Sequence, residues 1–385
     1  MRKSNRNKST DILSNLFKEL HDLNILLYPG IDTKSTYFFY YDEAFNPRKL
    51  YIKEKSFNSD ISYNFTLGGI VCSRQEQEVA DLDEIVRLPK TNREIKLKSI
   101  ANGDFINCLL SSKLTTFLKY LDDKDLLIHF FSVNLLYYSI VDIVDSIINS
   151  SINYSITNQD LILYLKNLLY KLSKIELKSL STLFFKFGYP NIKQESLENF
   201  LIEFNNLFET HQRFPEYRLG LRLLNSIVNE IIFEKKDLPL LSLNKDSIIL
   251  EDFSSFYLRP LYLYPNSYHY FDNEMLIAKR LAEIFDGHSS GYSNFYYFIN
   301  SQENNKIQFS DVVVGLVSKF SKFIHDKNLN EIGFIIKNLT DTQKKNFHLF
   351  SILIYKSKMV NSGFIDYIES LDEIQKIHWI LNNYN

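Results

Sequence analysis

The chain is short of the residues that cross-link and punctuate small folds. Among 385 residues there are two cysteines, Cys72 and Cys108. They make no CxxC pair, no thiolate zinc site and no disulfide framework, which fits a reducing cytoplasm. Glycine (11) and proline (8) are also scarce. Many tight turns require them, so long helices are favoured over a many-turned β-fold. Net charge is near zero, with 44 Lys and Arg against 46 Asp and Glu. This excludes the global basic signature of a nucleic-acid-coating protein, and any contact with phosphates must come from a local patch. Long hydrophobic runs are missing too. The most membrane-like stretch, residues 126–141, contains His129, Ser132, Asn134 and Ser139 and is followed by Asp142 and Asp145. It is too short and too polar to span a bilayer, and reads as a buried strand running into a helix. Residues 1–10 are polar and basic with no apolar signal core behind them, and read as a mobile arm.

Familiar catalytic motifs are missing as well. There is no Walker loop, no GxGxxG, no GxSxG, and the eight histidines show no HExxH spacing. Kinase, dinucleotide-binding and serine-hydrolase readings therefore have nothing to rest on. His269 alone stands near the acids discussed below, and reads as a strand residue rather than a catalyst.

What is present is a large apolar complement, 45% of residues, with 31 Phe and 25 Tyr. That suffices for a sizeable core and argues against wholesale disorder. The apolar spacing predicts a helix over residues 11–27, strands over 37–42, 49–53 and 64–72, a helix over 75–86, and a buried strand over 126–133. The first three strands read as an antiparallel meander. From about residue 135 to 233 the pattern is almost purely helical. Strands return at 267–271 and 294–299, each followed by a helix (274–285 and 312–323), and residues 327–385 read as helices alone. The expected fold is α/β, a mixed-sheet core interrupted by a helical insertion. The expected divisions are an N-terminal arm and helix (1–35), the first part of the core (36–134), the insertion (135–244), the second part of the core (245–325) and C-terminal helices (326–385).

The chemistry lies in the acids. Asp42 and Glu43 end the apolar run Tyr37-Phe38-Phe39-Tyr40-Tyr41, where a carboxylate is held rigidly at a sheet margin. The plain alternative is a strand ending in a polar turn. Asp272 follows the strand over 267–271 and either caps the next helix or binds a metal; Glu274 either favours that helix dipole or joins it. Asp311 falls in the first turn of the expected helix 312–323, which is apolar on several sides and carries Gly315. A buried acid there needs a partner, and a metal is a suitable one. Glu94 sits in a charged segment with Arg87, Lys90, Arg93, Lys96 and Lys98, the densest positive run in the chain. Its simplest reading is an amphipathic surface, but this is also where a phosphate backbone would dock.

In order, these parts are strand–Asp42-Glu43, a strand with Gly68-Gly69, Glu94-Ile95-Lys96, strand–Asp272, strand–Ser301, and Gln308-Phe309-Ser310-Asp311-Val312-Val313-Val314-Gly315. The series resembles the prokaryotic family known as domain of unknown function 3800, whose fold is ribonuclease H-like. The likeness covers residues 36–134 and 245–325. That family's first strand typically ends Asp-Glu-Ser-Gly, and its last motif is Gln-x-Ala-Asp-x-x-x-Gly. Here Ala44-Phe45 replaces Ser-Gly and Ser310 replaces Ala, so every acid is kept while Phe45 could narrow access.

The resemblance implies a metal-dependent nuclease, in a mobile-element or anti-phage setting. Asp42, Glu94, Asp272 and Asp311 would be its catalytic acids. With Glu43 they would hold two Mg²⁺ or Mn²⁺ ions about 4 Å apart, and Ser301 and Gln308 would support them. DNA or RNA would be the substrate, with its phosphates held by Arg87, Lys90, Arg93, Lys96 and Lys98. The helical insertion would select substrate or bind a protein partner; no membrane partner is expected. Two other classes stay open: a catalytically degenerate scaffold or sensor subunit of a complex, and a structural protein whose acids are all caps and turns.

Overall fold

The computed structural model describes residues 2–28, 30–89, 95–151, 159–242, 244–285 and 295–383. The aromatic run that opens the core becomes β1 (Phe38–Ala44). A short hairpin follows, β2 (Leu50–Lys53) and β3 (Ser56–Phe57), then β4 (Asn64–Cys72) and β5 (Leu127–Asn134). After the helical stretch come β6 (Ile248–Leu250), β7 (Tyr268–Asp272), β8 (Tyr296–Ile299) and β9 (Ile365–Ile368). Six of them form one mixed sheet in the order β8-β7-β1-β4-β5-β9, and β3-β2-β6 form a small second sheet. In the large sheet β4 runs antiparallel to both β1 and β5, while β7, β8 and β9 add in parallel. The C-terminal ends of β1, β5, β7, β8 and β9 therefore share one edge.

The centre of the sheet is buried on both faces. All nine residues of β4 are buried, and its glycine pair is the reason the layers can approach. A Cβ on Gly68 would run into the backbone of His129 and Phe130; one on Gly69, at φ +154°, would run into Ser310. Ser310 belongs to the helix Asn305–Asp326, which lies across β1 and β4 on one face. The other face is covered by the helix Ser254–Leu263, whose Tyr257 packs on Phe271 and whose Phe256 packs on Phe131. One continuous apolar cluster runs from the sheet into the helical layers.

The helical stretch between β5 and β6 comprises Leu135–Ser150, Gln159–Ile175, Leu177–Phe187, Gln194–Phe208 and Pro215–Glu234. It is tied to the rest by polar contacts: Asn134 donates to Tyr170 Oη in the interior (2.8 Å), and Asn167 donates to half-buried Asp372 (2.8 Å). Among the described residues no helix is long and apolar enough to cross a membrane.

Several elements depart from the sequence reading. The first helix spans Arg2–Leu27, so it begins well before Asp11 and takes in the segment read as an arm. The segment over 75–86 is helical only at Leu82–Val86. β2 leaves the meander and pairs with distant β6, so the meander is β1, β4 and β5. The stretch 327–385 contains a strand, β9, too short to show a period against the helices around it. The helix carrying Asp311 starts earlier, at Asn305, because Asn304 caps it by accepting the Lys306 N–H at 3.0 Å. Asp311 therefore stands in the second turn, away from the N-terminus.

Candidate functional site

β1 brings Asp42 to the shared edge of the sheet, opposite Gly68 of β4 and one residue beyond the last pair with β7, Tyr41 with Phe271. Asp42 is 8% exposed, and its Oδ1 accepts the Glu43 N–H at 2.7 Å. Asp272, next in line on β7, is half-buried. Its Oδ1 accepts the Asn273 N–H (2.8 Å) and the Ser301 N–H (3.2 Å), joining the exit of β7 to the exit of β8. Asp311 reaches the same edge from the covering helix, and accepts the Leu97 N–H at 2.7 Å.

The charges of these acids meet at Asp42. Its carboxyl is pushed well above the usual carboxylate range, by burial first and then by Glu43, Asp311 and Asp272. Glu43 is pushed up to about 7 by burial and by Glu274 and Asp272. A hydrogen bond from Tyr257 Oη (3.0 Å to Oε2) and the Arg48 guanidinium act the other way. Arg48 itself pairs with Glu274 at 3.6 Å. Three acids, Glu43, Asp272 and Asp311, from three distant segments thus bear on the one buried carboxylate of Asp42, and Glu274 stands just outside them.

Gln308 is the brace of this edge. It is buried, its Nε2 donates to Ser301 O (2.9 Å), and its Oε1 accepts the Ile95 N–H (3.2 Å). It therefore links the end of β8, the covering helix and the segment that follows Glu94. Ser301 is buried, and its backbone N–H and C=O meet Asp272 and Gln308. Glu94, Lys90 and Arg93 lie outside the described residues. Of the remaining basic positions, Arg87 and Lys98 are exposed, and Lys96 is half-buried at the N-cap of the short helix Leu97–Ile100. Leu97 packs on Gly315 and bonds to Asp311, so its chain neighbours Lys96 and Lys98 stand near that acid. Phe45 takes a positive φ of 57° and stacks on Tyr63 with ring centroids 4.9 Å apart.

Two participants had no sequence signal. Tyr257 lies inside an aromatic-rich helix, where nothing distinguishes it from a core residue. Lys306, whose ammonium sits 4.8 Å over the Tyr40 ring and 3.2 Å from its hydroxyl, read as part of a loop. It adds one positive charge on the covering helix, one turn before Ser310 and Asp311.

The donor set is all oxygen and all acidic, with Asp42 buried and Asp272 and Asp311 half-buried beside it. Hard divalent cations prefer such donors, so the residues present fit Mg²⁺ or Mn²⁺ in kind. Among the described residues no three His, Cys, Asp or Glu side chains gather at the spacing that holds an ion. A scan of protein-family models and searches of curated proteins and solved structures gave no match to this chain.

Proposed function

We propose that this edge is the metal-dependent active site of a phosphodiesterase acting on nucleic acid. The reading is carried by one observation: Asp42 is buried in the field of Glu43, Asp272 and Asp311, acids the chain delivers from three separate segments. A structural protein has no use for such mutual repulsion, whereas a cation offsets it. The strand order supports a ribonuclease H-like assignment. That fold has a three-strand antiparallel meander, here β1, β4 and β5, with two parallel strands added beside the first, here β7 and β8. β9 and the small sheet are additions. Fold alone does not give activity, and the reading rests on the acids.

Asp42, Asp272 and Asp311, with Glu43 and Glu94, would hold two Mg²⁺ or Mn²⁺ ions. When bound, these would activate water and stabilise charge on a phosphodiester. The chain's own residues do the rest. Leu97 N–H and Ser301 N–H fix the carboxylates of Asp311 and Asp272, so little reorganisation is needed. Tyr257 Oη donates to Glu43 Oε2. Arg87, Lys96 and Lys98 would meet substrate phosphates beside Asp311.

Labelled single- and double-stranded DNA and RNA, incubated with Mg²⁺ or Mn²⁺, test the proposal. Cleavage is expected with the metal and not with EDTA, and is expected to vanish in Asp42→Asn and in Asp311→Asn. Cleavage retained by both variants would refute the assignment.

A second reading, a catalytically degenerate scaffold or sensor subunit, draws on the absence of a three-residue ligand group among the described residues. It predicts a correctly folded protein that cleaves none of the four substrates with either metal.

A further inference from the structure

β1 leaves the acid cluster through Asn46-Pro47-Arg48, and β7 leaves it through Glu274 into the helix Met275–Phe285. An open cleft of about 270 Å³ lies between these two exits, lined by Asn46 and Arg48 from the first and by Glu274 and Lys279 from the second. Its walls thus start at the strand ends that carry Asp42 and Asp272. The first exit is fixed by its own hydrogen bonds: Asn46 Oδ1 accepts the Arg48 N–H at 2.8 Å, and Pro47 O accepts the Lys49 N–H at 2.7 Å. The charges of the cleft are unevenly held. Glu251 pairs with Lys245, and Asp252 and Glu283 both pair with Arg280, at 3.4 and 3.2 Å. Arg48 reaches Glu274 only at 3.6 Å, with 67% of its side chain exposed against 15% for the acid. So long and exposed a contact contributes little and is easily exchanged. Lys279 is exposed and makes no ion pair with a described residue. Two cations, one loosely engaged and one unengaged, therefore face a cleft rooted at the acids.

We propose that Arg48 and Lys279 bind the phosphate next to the scissile one, Arg48 exchanging Glu274 for it, so that the substrate is an oligonucleotide rather than a single phosphodiester. The inference rests on the phosphodiesterase reading and assigns the course of the substrate through that site. A guanidinium meets a phosphate bidentately, a stronger contact than its one long approach to Glu274. Lys279 adds a second positive charge, and phosphate contacts of this kind set the register of a nucleic-acid strand without reading its sequence. Glu274 then competes with the substrate for Arg48.

Two measurements on the full chain test this: anisotropy of labelled DNA and RNA oligonucleotides at low salt in EDTA, and KM and kcat for their Mn²⁺-dependent cleavage. The Arg48→Gln, Lys279→Gln double variant is expected to bind about tenfold more weakly and to raise KM by a similar factor, with kcat changed less. Both positions are exposed, and circular dichroism checks that the variant folds. Glu274→Gln is expected to act in the opposite direction, strengthening binding severalfold, and Arg48→Gln is expected to cancel that gain. A merely structural ion pair would make Arg48→Gln and Glu274→Gln change affinity in the same direction. That result, or an affinity and KM unchanged in the double variant, would overturn the proposal, while cleavage by the wild type would leave the phosphodiesterase reading in place. Binding that depends on Arg48 without any cleavage would strike that reading and keep the phosphate contact. A wild-type chain that binds no oligonucleotide would overturn both.

Discussion

Ser310 occupies the space that a side chain on Gly69 would need. Its hydroxyl accepts the Ile70 N–H at 3.2 Å and can donate to Tyr40 O or Lys306 O, each at 2.9 Å. One buried hydroxyl therefore joins β1, β4 and the covering helix at a single point. Asp311, the next residue, is thereby set beside Asp42. The close approach of helix to sheet is what makes the acid cluster.

Gly69→Ala removes that approach. The new methyl clashes with Ser310 in a backbone region that only glycine adopts comfortably, and a loss of about 3 kcal/mol is expected. Chemical denaturation measures it. Ser310→Ala should cost less, about 1 kcal/mol, because the buried Ile70 N–H loses its acceptor but nothing clashes.

Asp42→Asn should stabilise the metal-free protein by on the order of 1 kcal/mol, since it removes a buried charge while keeping an acceptor for the Glu43 N–H. The sign follows from the raised carboxyl. The folded state binds this proton at a higher pH than the unfolded chain, so the ionised form destabilises at neutral and alkaline pH. The gain is therefore expected to be largest near pH 8 and to shrink as the wild-type carboxyl protonates on acidification. Thermal melts in EDTA across that range test it; a gain that grows toward acid pH would contradict the account.

The sheet was more legible in the sequence than the site. β4 stood out because a nine-residue apolar run with two adjacent glycines suits few structures other than a strand buried on both faces. Asp42 and Asp272 were legible as strand-end acids. Asp311 was misplaced by one turn, because Lys306 and Gln308 interrupt the apolar pattern and hide the true helix start at Asn305. Both polar residues make contacts across the edge: Gln308 braces Ser301 and Ile95, and Lys306 reaches Tyr40. β2 left the meander because its partner, β6, lies some two hundred residues on, and local pattern carries no information about pairing at that distance. Tyr257 was invisible for the same reason.

A second buried ionic group lies farther along the covering helix. His325 Nε2 is 2.9 Å from Glu369, which also accepts from Asn64 (3.0 Å) and Asn134. Burial alone would lower the His325 pKa, but the Glu369 charge and hydrogen bond raise it overall. Burial alone would raise Glu369, yet His325, Asn64 and Asn134 hold it below its usual value. The raised histidine stabilises fully below the unfolded value of 6.5 and loses that contribution as pH rises through its folded value. The lowered glutamate stabilises above 4.5 and loses its contribution as pH falls through its folded value. The pair is thus strongest between those two pH values. Glu369→Gln should cost about 3–5 kcal/mol at pH 6 and less at pH 9, by denaturant titration at each.

Nucleic-acid affinity should depend on the basic segment beside Asp311. Replacing exposed Arg87 and Lys98 by glutamine should weaken duplex binding and reduce the slope of log affinity against log salt by about 0.9 for each phosphate no longer neutralised. Fluorescence anisotropy at several salt concentrations measures both. An unchanged slope would remove this segment from the interface.

Calorimetric titration of Mn²⁺ into the metal-free protein, in two buffers of different ionisation enthalpy, tests the central claim most directly. Acids held above their usual pKa must give up protons when a cation binds, so the account predicts saturable binding, a buffer-dependent heat that reports proton release, and loss of both in Asp42→Asn. Binding that is absent, or that persists unchanged in Asp42→Asn, would contradict it.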